Sequence, residues 1–428
     1  MRVRIPNQAE ILGVTSQTSR PTKNILFTGG RAPVTLELAR QFHANGHRVY
    51  VAESLPFHIC QFSNAVYDNI TIPAPNDDLE AFGAALSKVI EEHSIDYLIP
   101  TCEEVFHVSR VKSQLPERCT IFADDIGKLR KLHSKKEFMD YASGFGLPTP
   151  RTVVVTTLEP VYDALRSGRD IVFKKVFSRF SSDTIVLPRS EQEVSHVVVN
   201  EENPWVIQDY LGNEQYCTYS IVIEGVIQAH GTYPTTYTAG QGASTYFEEA
   251  NVEAIYTWIE SFMKAIHYTG QISFDFMKTP SGAFMPIECN PRATSGAHLF
   301  DVRDRLDRAF LEKNNELVVP GGERRSMLGL GMLVYGLPKA IKRMTLRRWL
   351  GDWFKANDVV FSWKDLLPVL GQFICYAVFI WIALRSKVTV MAASTLDIEW
   401  NGHLSPIEVA DDIPPGRDED ATNESCNH

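Results

Sequence analysis

Residues 270–296 read GQISFDFMKTPSGAFMPIECNPRATSG, two runs of alternating character around Pro280-Ser281-Gly282. Proline, serine and glycine suit a tight turn. The stretch therefore predicts an antiparallel hairpin. A turn centred between Ser281 and Gly282 places Asp275 opposite Glu288, and Asn290 shares the face of Glu288 because the strand period is two. Facing carboxylates repel by roughly a few tenths to 1 kcal/mol unless something positive lies between them. Two carboxylates and an amide oxygen make an oxygen-only donor set, which suits Mg²⁺ completed by water and substrate phosphates. The plainer alternative is a solvated polar face; the apolar neighbours and the polar NPRATSG that follows favour the cation.

Upstream of the hairpin the pattern is mixed. SKKEFMDYASGFG reads as a helix closed by Gly146 and Pro148, followed by the β-rich runs TVVVTT, DIVFKKV, WVIQDYL and CTYSIVIEGVIQAHGTY. Alternation and the hairpin signal Glu224-Gly225 predict α+β structure with antiparallel sheets. Further upstream, NILFTGG, RAPVTLELARQFHANG and HRVYVAES form a β-α-β unit, and DLEAFGAALSKVIEEH followed by DYLIPT continues it. Residues 22–128 are thus expected to form an open parallel sheet, which binds ligands at its strand carboxyl ends. Gly29-Gly30-Arg31-Ala32-Pro33 does not match the GxGxxG of a nicotinamide domain, so a dehydrogenase has little support.

The 428-residue chain is 44% hydrophobic and 22% charged, which excludes a disordered or collagen-like protein. Its seven cysteines are scattered singly with no CxxC pair, so a reducing, cytoplasmic setting is expected. Residues 1–21 lack the apolar core of a secretory signal and read as a flexible arm. Of the net charge of −10, residues 403–428 carry −6, and they read as an acidic disordered tail. With no basic stripe interleaved with aromatics along the body, a nucleic-acid partner is not expected.

The hairpin and the runs before it resemble the ATP-grasp superfamily, the fold of carbamoyl phosphate synthetase, biotin carboxylase and D-alanine:D-alanine ligase. "FDFM...G...IECNPR" is similar to that family's metal strand pair. The resemblance implies that Asp275, Glu288 and Asn290 hold Mg²⁺, with Mn²⁺ as a substitute, and that Arg292 contacts phosphate or the acyl substrate. It also implies ATP contacts by Lys135 of "SKKEF", by Lys174 of "DIVFKK", and by Gln208, Asp209, Tyr210 and Leu211 of "WVIQDYLGNEQY", with Glu214 on the ribose. The resemblance covers residues 24 to about 315. The implied architecture is a pre-ATP-grasp domain over 22–128 and an ATP-grasp domain over 129–320, divided near 207/208.

The activity implied is carboxylate–nucleophile ligation through an acyl phosphate, with a small-molecule carboxylate and an amine or similar nucleophile as substrates. Arg31, Tyr237, Gln241, Ser295 and His298 are the residues expected to face those substrates, with 235–244 as a lid. Where the family has a glycine-rich phosphate flap, this chain has Phe177-Ser178-Arg179-Phe180-Ser181-Ser182-Asp183, and Arg179 is expected to take over phosphate contact. That departure keeps a second reading open, a nucleotide-binding pseudoenzyme with a regulatory or scaffold role. A homodimer is also left open.

Residues 321–402 read as a partly helical extension. Within it, LLPVLGQFICYAVFIWIAL at 366–384 carries no charge, and Lys339, Lys342, Arg343, Arg347 and Arg348 precede it. Pro368, Gly371 and Gln372 interrupt its first third, leaving twelve apolar residues that favour a helix buried against the body over a bilayer span. A peripheral membrane contact through 339–384 is the alternative.

Overall fold

The alternation in residues 270–290 becomes a hairpin of strands Gly270–Lys278 and Phe284–Asn290, with Asp275 paired to Glu288 and Ser273 to Asn290. The computed structural model describes residues 21–178, 183–240, 242–313, 316–322 and 324–402. Gly282, at φ +86°, takes the left-handed turn position, and its amide reaches the Thr279 carbonyl at 2.9 Å. Nearest the turn the register runs one residue short of that expected. A bulge then restores it between Phe276 and Asp275.

Around this hairpin lies a four-stranded antiparallel sheet in the order Val226–Pro234, Glu214–Ile223, Gly270–Lys278, Phe284–Asn290. Its two faces differ because the strand period is two. Phe274 and Phe276 pack under helix Glu253–Ile266, against Trp258 and Phe262. Asp275 and Met277 point the other way, into a cavity. A second four-stranded antiparallel sheet, Thr152–Val155, Trp205–Asp209, Ile171–Lys175 and Thr184–Val186, contributes residues to the same cavity.

Residues 22–128 contain the expected parallel sheet, in the strand order Asp68–Thr71, Arg48–Glu53, Asn24–Thr28, Tyr97–Ile99, Thr120–Ile121. Helix Pro33–Ala44 covers one face, and Pro33 opens its first turn, where no intrahelical N–H is needed.

The C-terminal extension returns to the body twice. Strand Arg325–Met327 pairs with Tyr246–Glu248, and Ile398 and Trp400 are buried, Trp400 stacking on Phe106. Between these returns runs helix Leu367–Ser386, and here the expectation of a buried apolar helix is corrected. The helix is twenty residues long and unbroken, and it is long and apolar enough to cross a membrane, yet only Pro368, Gly371, Cys375 and Ala383 are buried. Pro368 sits in the first turn, where it breaks nothing. Gly371 is a contact, since a Cβ there would lie 2.2 Å from the Phe62 ring.

Candidate active site

The site is built where the two antiparallel sheets face each other across a cavity of about 320 Å³. From one sheet come Val172, Lys174, Val186 and Gln208, and from the other Gln215, Asp275, Glu288 and Asn290.

Lys174 is the link between the sheets. Its strand alternates, with Phe173 in the hydrophobic core of its own sheet and Lys174 turned to the cavity. Its ammonium donates to the Ile287 carbonyl at 2.9 Å and to Gln208 Oε1 at 3.0 Å. Ile287 is the bulged residue of the hairpin, and a bulge leaves a residue out of the ladder pairing. Burial pulls the Lys174 pKa down to about 8, against the raising effect of Glu288. Lys135, also buried, donates to the Ser178 carbonyl at 3.2 Å and stands 3.5 Å from Glu288 Oε1.

The carboxylate pair shows the strain that its register implies. Burial, and then the charge of Glu288, push the Asp275 carboxyl up to about 6. For Glu288 burial also opposes ionisation, but Lys135 and Lys174 hold its carboxyl below the usual range. A pair in which one member ionises at a cost is a site that calls for added positive charge. Two carboxylates and the Asn290 amide oxygen supply oxygen donors alone, which fits Mg²⁺. Among the described residues, no three or more His, Cys, Asp or Glu side chains form a metal-binding group. The set is thus thin for a dedicated cage, and suits an ion shared with phosphate.

Other expected residues divide by position. Asp209, Tyr210 and Leu211 line the cavity, with Asp209 in an ion pair to Arg169 at 2.6 Å. Gln208 does so too, but its carboxamide is engaged by Lys174 and Thr152. Glu214 is not among the lining residues. It pairs with Lys278 on the opposite face of the strand from Gln215. Arg179 and Gln241 lie outside the described residues.

Arg292 marks the passage to a second, larger cavity of about 410 Å³, and lines both. Its Nε donates to Glu103 at 2.8 Å, one Nη to the Ala293 carbonyl and the other to Asn290 Oδ1. Two of its five N–H groups have no acceptor among the described residues. Ser295 also lines both cavities, and His298 lines the second, where its ring stands 3.6 Å from Glu37. Arg31 borders the second cavity with every donor taken, by Glu53, Ser54, Asp397 and the Ser394 carbonyl. Its guanidinium is thus held by the chain's own acceptors. Tyr237 reaches neither cavity; its hydroxyl donates to Asp352 at 2.7 Å and ties the 235–244 loop to helix Leu346–Lys355.

Sequence reasoning missed Glu103, buried and bonded to Arg292. The signal was present, because Glu103 follows the strand Tyr97–Ile99 at its carboxyl end, where open parallel sheets place ligand residues. It also missed Met277 and Val172, apolar lining that a strand pattern alone does not distinguish from core.

A parallel-sheet domain followed by two antiparallel sheets closing on a lysine- and carboxylate-lined cavity is the ATP-grasp fold, and the chain has that fold. No protein-family model matches the chain, and no curated protein matches it in sequence. Solved structures match it in fold. N5-carboxyaminoimidazole synthetase from Staphylococcus aureus, complexed with ADP, superposes with a TM-score of 0.58 at 13% identity, over 75% of this chain and 86% of that one. The L-amino acid ligase from Bacillus licheniformis gives 0.54 at 14% identity, over 68% and 75% of the two chains. Biotin carboxylase from Campylobacter jejuni, in a β,γ-ATP complex, gives 0.53 at 13% identity, over 69% and 72%.

Proposed function

We propose that the protein is an ATP-dependent carboxylate ligase that activates its acid as an acyl phosphate and passes the acyl group to an amine or similar nucleophile. The observation that carries this reading is Arg292. It joins a cavity lined by the buried Lys174 and a carboxylate pair, with the buried Lys135 3.5 Å from Glu288, to a second cavity with room for a substrate, and it has donors to spare.

In this reading a carboxylate oxygen of the acid attacks the γ-phosphorus of ATP, the bond to the β–γ bridging oxygen breaks, and ADP leaves with the electron pair. The nucleophile then attacks the acyl carbon, the carbon–oxygen bond to phosphate breaks, and inorganic phosphate leaves as the nucleophile gives up its proton. Phosphoryl transfer needs positioning and charge neutralisation more than covalent help. Lys135 and Lys174 supply fixed ammonium groups for phosphate oxygens. Arg292, held by Glu103, orients the acid carboxylate toward the first cavity. Asp275, Glu288 and Asn290 would hold Mg²⁺, which supplies charge neutralisation at the phosphates. Val172, Val186 and Met277 give an apolar wall for the adenine base, whose hydrogen-bonding edge would meet the backbone at 209–211.

The test is ADP release from Mg-ATP with candidate carboxylates and nucleophiles, in the native chain and in Glu288→Gln. The native chain should release ADP only when a suitable acid is present, and the variant, nearly isosteric but short of one charge, should lose that turnover. Unaltered turnover in the variant would refute the assignment. A second reading, a nucleotide-binding protein without turnover, is favoured by the glycine-free sequence at 177–183. It predicts nucleotide binding with no acid-dependent ADP release.

A further inference from the structure

The segment from 333 to 390 turns its apolar side chains outward. Twenty of the thirty-one exposed large apolar residues among those described fall within it, so the exposure is concentrated rather than scattered. Helix Leu367–Ser386 docks through its small residues and leaves Leu370 65%, Phe373 57%, Trp381 59% and Leu384 76% exposed. A surface helix of a water-soluble body does the reverse. In helix Leu346–Lys355, likewise, Trp349 is buried while Leu350 and Phe354 face out.

Charge on this segment has one exposed sign. It contains nine bases and three acids, a net of +6 in a chain whose total is −10. All nine bases are exposed, whereas none of the acids is. Asp352 accepts from the Tyr237 hydroxyl, Asp358 from the Gly329 amide and Asp365 from Arg40.

Both ends of the long helix are tied to the same body. Asp365, just before it, is bound by Arg40 and Ser63, and Asp397, after it, by Arg31. The helix therefore lies along the surface. The second cavity opens on this face, since Tyr335, Tyr376 and Val390 line it and are themselves 42%, 43% and 39% exposed.

We propose that this face docks on the anionic surface of a lipid bilayer, and that the cavity behind it draws a long-chain carboxylic acid from that bilayer. Apolar side chains enter the acyl boundary while the surrounding bases meet acidic headgroups. A second copy is disfavoured as the occupant, because an isologous contact would bring two faces of net +6 together. The docking half stands on the surface alone; the substrate half rests on the ligase reading.

The experiment has two arms, both on the full chain. In the first, the protein is sedimented with phosphatidylcholine vesicles with and without phosphatidylserine. It should bind the acidic vesicles, and binding should fall about tenfold or more in Arg343→Glu/Arg347→Glu and in Phe354→Gln/Trp363→Gln/Leu384→Gln. ADP binding, read by calorimetry, should be unchanged in both variants and so reports on folding. Absence of vesicle binding, or equal binding by folded variants, overturns the docking. So does a native dimer that ignores vesicles and becomes monomeric in the apolar variant.

In the second arm, Mg-ATP and hydroxylamine are supplied with palmitate in the same vesicles or with acetate in solution. Hydroxylamine displaces phosphate from an acyl phosphate and leaves a hydroxamate. Palmitate hydroxamate with stoichiometric ADP is expected. Hydroxamate from acetate alone overturns the long-chain assignment and leaves the ligase reading standing. If neither acid, nor any in a wider panel, releases ADP, the ligase reading falls and takes the substrate half with it.

Discussion

Asp275 and Glu288 carry the energetic signature of the site. Because the folded-state pKa of Asp275 is raised to about 6, its stabilising contribution is full below its ordinary value near 3.8 and is lost as pH rises through about 6. Asp275→Asn should therefore raise the thermal stability of the nucleotide-free protein near pH 7 by on the order of 1–2 kcal/mol, and the gain should vanish toward pH 4. A gain that is the same at both pH values would mean that ionisation of the buried Asp275 is not its source. Lys174→Met should weaken ATP binding at least about tenfold, while Lys175→Met, on the opposite face of the strand, should change it little. Calorimetric titration of both variants checks this, and a larger loss in Lys175→Met would contradict the assignment. The Asp275–Glu288 pairing was legible because a short hairpin fixes register locally. The face of Glu214 was not, since a bulge between Ile221 and Val222 shifts the register of the local hairpin and Glu214 itself pairs with Lys278, more than fifty residues away.

At the scale of elements, helix Leu367–Ser386 is held by the close approach of Gly371 to Phe62. Gly371→Ala should cost about 1–3 kcal/mol by overpacking, and adding Phe62→Leu should recover part of it. Chemical denaturation of the single and double variants measures both, and a neutral Gly371→Ala would show that the contact does not hold the helix. In the sequence, Pro368, Gly371 and Gln372 stand as interruptions of an apolar run. Each instead has a place that only the fold defines: the first turn, a ring contact and the cavity lining. The parallel sheet was readable because its short continuous apolar runs flank a helical pattern, and the antiparallel hairpins because their period-two patterns and turns are local. Which face of an apolar helix stays exposed is not encoded by its own sequence when every face is apolar.

At the scale of the whole molecule, the chain closes on itself through Arg31. This buried guanidinium bonds Glu53 within the parallel sheet and Asp397 near the end of the extension, 366 residues away in sequence. Arg31→Met leaves Glu53 buried without its counter-charge and should cost about 3–5 kcal/mol. Asp397→Asn, which keeps the inner pair, should cost about 1–3 kcal/mol. Denaturation midpoints distinguish the two, and equal losses would mean that Glu53 gains nothing from Arg31. No sequence pattern announces a bond of that span, and Arg31 was accordingly read as a substrate residue. The central claim is that one carboxylate oxygen is transferred to phosphorus, and it is tested most directly by isotope. With ¹⁸O in the carboxyl group of an acid that supports ADP release, the account predicts one ¹⁸O in each inorganic phosphate formed. Unlabelled phosphate, with all the isotope retained in the acyl product, would contradict it.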